Sequence, residues 1–238
     1  MSEWRAKRFW TTSSVEAETA GFRVELDGRP IRTPAKQLLV LPSEALARAV
    51  AAEWDVQADV IDPGTMPVTR AANAALDKVA SNRDGLIEGL ASYGATDLLC
   101  YRAEEDDPLR ALQDEAWDPL LNWAEASFGV ALVPTCGVVP VDQDAASLSR
   151  LSAILEQQDD FSLTALSELV SLSGSLVIGL AVIEGLLPDE ELWRRSRVDE
   201  DWQESQWGRD EEAAETAALK RGEFLRAAEF YRLSRPGA

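Results

Sequence analysis

Residues 21–36, GFRVELDGRPIRTPAK, decide the fold class. Phe22, Val24 and Leu26 alternate with Arg23 and Glu25, the period of two expected of a strand with one buried face. Asp27-Gly28 follows at once and offers the positive-φ pair that a two-residue hairpin demands. The return strand then spans Arg29 to Thr33, Pro34-Ala35-Lys36 turns the chain, and Gln37 to Leu41 reads as another strand. Phe9, Trp10 and Val15 offer material for one or two earlier strands, so the first 41 residues predict a small antiparallel sheet.

Outward from the sheet the period changes. Ser43 is a suitable N-cap for a helix on which Leu46, Val50 and Trp54, spaced by four, form one apolar stripe, and that helix is expected to cover the sheet. The segment Ile61 to Pro67 holds two prolines and a glycine and reads as a linker. Helical patterns follow over 68–80, 84–93, 97–102, 107–128, 143–157, 161–187, 188–207 and 210–233. Asp107-Pro108 marks a helix start, Gly129 a stop, and Pro119 is expected to kink or divide the run between them. Residues 130–141, VALVPTCGVVPV, read as an extended connector. The expected class is α+β: a β-rich domain with a covering helix over 1–65, then a helical bundle over 66–238.

Composition limits the chemistry. The 238 residues contain no histidine, which excludes histidine-dependent nucleophiles, histidine-ligated zinc and imidazole acid/base catalysis. Cys100 and Cys136 form no CxxC and read as small buried apolar residues. No glycine precedes any of Lys7, Lys36, Lys78 or Lys220, so there is no Walker A loop, and no serine stands three residues before any of them. GxGxxG and GxSxG are absent, so neither a nucleotide nor another cofactor is expected. A net charge of −19 opposes binding to nucleic acid or anionic membrane, and suits either a basic protein partner or solvation alone. The opening MSEWRAKRFW has no apolar core of a secretory signal, and the longest charge-free apolar stretch, Leu169 to Ile183, is too short to span a bilayer. A reduced, soluble compartment is the expectation.

The most unusual segment runs from Pro188 to Glu215, where acidic residues surround Trp193, Trp202 and Trp207. On one continuous helix Trp193, Glu200 and Trp207, spaced by seven, would fall on nearly one line, framing a carboxylate between two indoles. Three readings compete. The tryptophans are core and Glu200 is neutralised by Arg197; or the stripe is a protein contact surface; or Asp199, Glu200, Asp201 and Glu204 form a metal or acid/base site, as in a metal-dependent hydrolase. Glu190–Arg194 and Glu191–Arg195 are expected surface pairs. Trp54, within Glu53-Trp54-Asp55, reads as core.

Eight segments then occur in the order of a known family: RFW (8–10), GFRVELDGRPIRTPAK (21–36), AAEWDVQ (51–57), MPVTRAAN (66–73), TDLLCYRAE (96–104), WDPLLNWAE (117–125), LSGSLVIGLA (172–181) and SRVDEDWQESQWG (196–208). In them the chain resembles the assembly chaperone of the F-type ATP synthase catalytic head, the "ATP twelve" family. The resemblance implies a non-enzymatic holdase that binds newly made alpha subunit and shields its beta-subunit interface until the hexamer forms. It also implies a β-rich N-terminal domain with a C-terminal helical bundle, and a functional acidic position at Glu200 or a close neighbour. For this chain, without an Arg-rich transit peptide, it implies a bacterial cytoplasmic setting; other members act in mitochondria. The EWDVQ match implies that Trp54 matters to folding.

Overall fold

The computed structural model describes residues 7–237. The opening MSEWRA, part of the leader reading above, lies outside them. Strands β1 (Ser13–Glu18) and β2 (Gly21–Leu26) form a tight hairpin with Val15 opposite Val24. At the next turn Asp27 and Gly28 both take positive φ, 47° and 76°, as a two-residue hairpin requires. The Asp27 carboxylate accepts from the backbone N–H groups of Thr11 and Thr12, which holds its pKa below the usual range. The strands after this turn are shorter than their pattern predicts. β3 (Arg29–Pro30) pairs with one end of β2, β4 (Val40–Leu41) pairs with the other, and a single Arg32–Leu38 bridge lies between. Beside β4 only glycine fits at Gly21, because a Cβ would stand 2.3 Å from the Leu41 carbonyl oxygen.

Ser43 caps α1 (Glu44–Asp55), its hydroxyl accepting from Leu46 N–H at 3.0 Å. Leu46, Ala47, Val50 and Ala51 turn inward to a core of Trp10, Val24, Leu26, Ile31, Leu39 and Leu41. The proline-rich segment forms a 3₁₀ turn at Pro63–Thr65, and α2 (Pro67–Ala74) runs into a π-helical turn over Ala75–Val79.

α3 (Arg83–Ser92) follows, and then the expected helix at 97–102 is replaced by a 3₁₀ turn (Leu98–Cys100) and a short strand β5 (Tyr101–Arg102). β5 pairs in parallel with β6 (Thr135–Cys136), so part of the 130–141 connector is indeed extended. Between them α4 (Pro108–Phe128) passes Pro119 unbroken. Pro119 faces solvent, and one turn before it the Ala116 carbonyl accepts from the Arg195 guanidinium at 2.9 Å. Gly129 ends the helix in the left-handed conformation.

α5 (Ala145–Glu156) precedes two helices where the pattern predicts one continuous run. α6 (Asp160–Ser173) stops at Gly174, whose φ is 71°, and Ser175 caps α7 (Leu176–Ile183). LVIGLAVI is apolar all round, and all eight residues are buried. A Cβ on Gly179 would meet Val170 at 2.8 Å, so the small residue permits close helix approach. Asp97 is fully buried at the head of α7. Its carboxylate accepts from Leu99 and Val177 N–H, and burial pushes its pKa up to about 6. The last run is likewise divided, into α8 (Asp189–Arg195) and α9 (Val198–Trp207), before α10 (Glu211–Ser234).

The architecture is α+β, an N-terminal antiparallel sheet followed by a larger helical region. The chain forms two compact units. The first comprises residues up to Arg83, Asp159–Ala165 and the chain from Glu229 onward; the second comprises Asp84–Gln158 and Leu166–Ala228. The 61–67 segment lies inside the first. Of the two cysteines, Cys100 is buried as expected, whereas Cys136 is exposed on β6, against the expectation of a buried apolar residue.

Candidate functional site

α8 is a self-consistent surface helix. Asp189, Glu190 and Glu191 occupy its first turn, Arg194 and Arg195 its last, each complementing the helix dipole. Glu191 takes both arginines, at i+3 and i+4, and its carboxyl is held below the usual range by those hydrogen bonds. The expected Glu190–Arg194 pair is not formed. Glu190 instead binds Arg221 of α10 in a two-pronged contact, with Nε to Oε2 at 2.8 Å.

Between α8 and α9 the chain turns. Ser196 N–H donates to Leu192 O, its hydroxyl to Trp193 O, and Trp117 Nε1 donates to the Arg195 carbonyl at 2.7 Å. The break overturns the straight Trp193–Glu200–Trp207 line. Trp193 is buried, 7% exposed, with its ring 5.5 Å from that of Phe224 and under the Arg197 guanidinium at 5.9 Å. Glu200 is exposed and takes Arg197 at 3.2 Å, as the core reading predicts. Trp207 departs from that reading, because it stands 81% exposed.

The four carboxylates diverge. Asp199 turns toward α4, where it accepts from Gln113 Nε2 at 2.7 Å, and burial raises its pKa. Asp201 and Glu204, at i and i+3, line a groove of about 600 Å³ whose other walls are α8 and α10. Asp201 is largely exposed, but partial desolvation in the groove raises its pKa as well. Among the described residues neither Asp201 nor Glu204 has an ion-pair partner. Among the same residues no group of three or more acidic or cysteine side chains is placed to hold a metal, so the 199–204 cluster does not converge as the hydrolase alternative requires.

The groove has a mixed lining. Trp193 contributes its apolar floor, Arg194, Arg197, Arg209 and Arg221 reach its edges, and Ala214, Ala217 and Ala218 form the wall on α10. Sequence reading missed that wall, although its spacing of three and four was legible. It also missed Gln113, whose amide links Ala103 N–H to Asp199; nothing local in the sequence indicates that bridge.

Among the described α-helices α9 is exceptional in having no fully buried residue: Val198, Asp199 and Trp202 are half-buried, while Glu200, Asp201, Glu204 and the projecting Trp207 are exposed.

Trp54 stands elsewhere, in the first unit. Half-buried, its ring meets Trp10 edge to face at 5.2 Å. The neighbouring Glu53 carboxylate accepts from Val68 N–H, Thr69 N–H and the Thr69 hydroxyl, each at 2.7 Å, and so caps α2.

The model of the ATP12 chaperone protein family matches residues 7–125. The chain belongs to the ATP12 chaperone family. Atp12 from Paracoccus denitrificans is 47% identical, with 98% of this chain and 100% of that one covered and a TM-score of 0.94. An aspartate-to-lysine mutant of the same Atp12p is 46% identical over the same shares, also at 0.94. The mitochondrial Atp12 protein of Schizosaccharomyces pombe is 24% identical over 221 residues, 88% of this chain and 76% of that protein. Atp12 relatives thus include bacterial and mitochondrial proteins. No described helix of this ATP12 chain is long and apolar enough to cross a membrane.

Proposed function

We propose that this chain is a holdase for the alpha subunit of the F-type ATP synthase head in the bacterial cytoplasm, covering the surface that later meets the beta subunit. The observation that carries the reading is α9, which buries none of its ten residues fully and leaves Glu200, Asp201, Glu204 and the Trp207 indole to solvent. Within the ATP12 family such an element is best explained as a contact surface. Its carboxylates meet basic groups of the client, and Trp207 supplies the large apolar anchor typical of interface hot spots. Asp201 and Glu204 are the foremost acceptors, because they line the groove and have no ion-pair partner among the described residues. Glu200 stands beside them and exchanges Arg197 for the client. Asp199 and Trp193 support the site from behind, one held by Gln113 and the other packed on Phe224.

A holdase acts by mass action: whatever binds the exposed client surface withdraws it from aggregation without any covalent step. Nucleotide is therefore not needed, which agrees with the missing phosphate loop. The net charge of −19 favours capture of a basic surface over nucleic acid.

The test is a binding isotherm of purified alpha subunit with the wild-type chain, Asp201→Lys and Glu200→Lys, with Glu88→Lys as a distant charge control. Asp201→Lys is expected to lose about tenfold or more in affinity, and the control to bind as wild type. Absence of wild-type binding, or aggregation suppression that needs ATP hydrolysis by this chain, would refute the proposal.

A further inference from the structure

The connector that carries β6 ends in an apolar tip for which fold and groove offer no use. Val138 and Val139 are 88% and 71% exposed, and Val133 and Val141 are exposed beside them. The tip is held in place. The Gln143 side chain grips both backbone groups of Val133, accepting from its N–H at 2.7 Å and donating to its C=O at 3.0 Å. Ala131 N–H donates to the Ser147 hydroxyl, Gly137 N–H to the Arg102 carbonyl at 2.9 Å, and the Thr135 hydroxyl to the Val139 carbonyl. Arg102, the anchor beneath β6, is itself buried between Asp114 and Asp118. Water-facing valines on so constrained a backbone are preorganised for burial against something else.

The surroundings indicate what. Parallel pairing of β5 with β6 brings the acidic run that follows β5 beside the tip. Cys136 Sγ donates to the Ala103 carbonyl and lies 3.5 Å from a Glu104 carboxylate oxygen. Glu104, Glu105 and Asp106 are all exposed, and Asp142 follows Val141 directly. The nearby cation, Arg110, is occupied by Asp114 at 2.7 Å. An apolar tip rimmed by carboxylates complements an apolar segment flanked by lysine or arginine.

We propose that the 133–141 tip is a second client contact, built on residues other than those of the α9 groove, that buries Val138 and Val139 against an apolar, basic-flanked segment of the alpha subunit. This rests on the alpha-subunit reading above. It predicts two energetic signatures on one client: a salt-insensitive apolar share from the valines and a salt-sensitive share from the rim.

The experiment measures alpha-subunit binding and association rate for wild type, Val138→Ser/Val139→Ser, Val138→Asp/Val139→Asp and Glu104→Gln/Glu105→Gln, each with a melting curve. Because the valines project into solvent, the serine pair should melt as wild type and bind about tenfold more weakly, and the aspartate pair more weakly still. The glutamine pair should associate more slowly and lose part of the salt dependence. A photo-crosslinking residue at position 138 should couple to an apolar alpha-subunit segment next to lysine or arginine. If wild type fails to bind alpha subunit, the holdase reading falls. If wild type binds and both valine pairs bind equally well, or position 138 gives no crosslink in the bound complex, this inference falls alone.

Discussion

Two acidic tryptophan segments, Glu53-Trp54-Asp55 and Asp199-Glu200-Asp201-Trp202, look alike on the page and are used in opposite ways. In the first, the Glu53 carboxylate is saturated by three hydrogen bonds from the start of α2, and Trp54 lies against Trp10. In the second, no residue of α9 is buried, and Asp201 and Glu204 face an open groove. Composition cannot separate these cases. What separates them is whether a helix N-terminus, with its unsatisfied N–H groups, arrives to use the carboxylate.

The sharpest break in the comparison is Trp54→Arg. A charge at the edge of the first unit's core loses the Trp10 contact and is partly desolvated among apolar side chains. We expect a loss of about 3 kcal/mol or more, seen as roughly 6–12 °C in melting temperature. Normal melting with lost client binding would move Trp54 to the second class.

Next in size is a buried carboxylate of the second unit, Asp97. With its pKa raised to about 6 from 3.8, the folded state holds the proton more tightly than the unfolded chain. Its contribution is fully present below about pH 4 and is lost as pH rises through about 6, a change of up to about 3 kcal/mol. Asp97→Asn cannot ionise, so its melting temperature minus that of wild type should rise from pH 4 to pH 7, as this pKa dictates. A flat difference would show that burial does not perturb this group.

Glu53→Ala should cost about 1–2 kcal/mol through the lost cap, with client affinity intact below the melting transition. The smallest effect on folding belongs to Glu200→Lys. Its pairing with Arg197 at 3.2 Å is half exposed, worth no more than about 0.5 kcal/mol, yet binding should fall sharply. If Glu200→Lys destabilises as much as Glu53→Ala, the two segments belong to one class after all.

What the sequence shows clearly is what depends on neighbours in the chain. The β2 strand, the Asp27-Gly28 turn, the Ser43 cap and the Pro108 to Gly129 limits of α4 all rest on contacts within a few residues. The helix break at Ser196 was hidden, because the pattern of charges and tryptophans continues at helical spacing through it. Trp117 Nε1, 78 residues away, fixes the Arg195 carbonyl at that turn. Pro119 misleads for the reverse reason: its ring faces solvent, and the carbonyl it leaves without a helical donor, that of the exposed Glu115, lies on the side open to water. At the site, the acidic character of 199–204 was legible, but the direction of each carboxylate depends on Gln113, Arg197 and the α10 wall. Trp207 could be placed on a helix but not on its exposed side.

The contrast between the two thiols has a practical side. Cys100 is buried, and burial pushes its pKa up to about 12, so its thiolate is scarce near neutral pH. Cys136 stands in solvent, one residue before the glycine that leads into the valine tip. Partial desolvation and the neighbouring Glu104 carboxylate raise its thiol pKa too, but it is the accessible one of the two. A maleimide dye added to the unmodified protein near neutral pH, where the lysines stay protonated, therefore attaches preferentially there. The molecule comes with its own reporter position, and a change in the dye's emission on adding client would read the environment of that loop in real time.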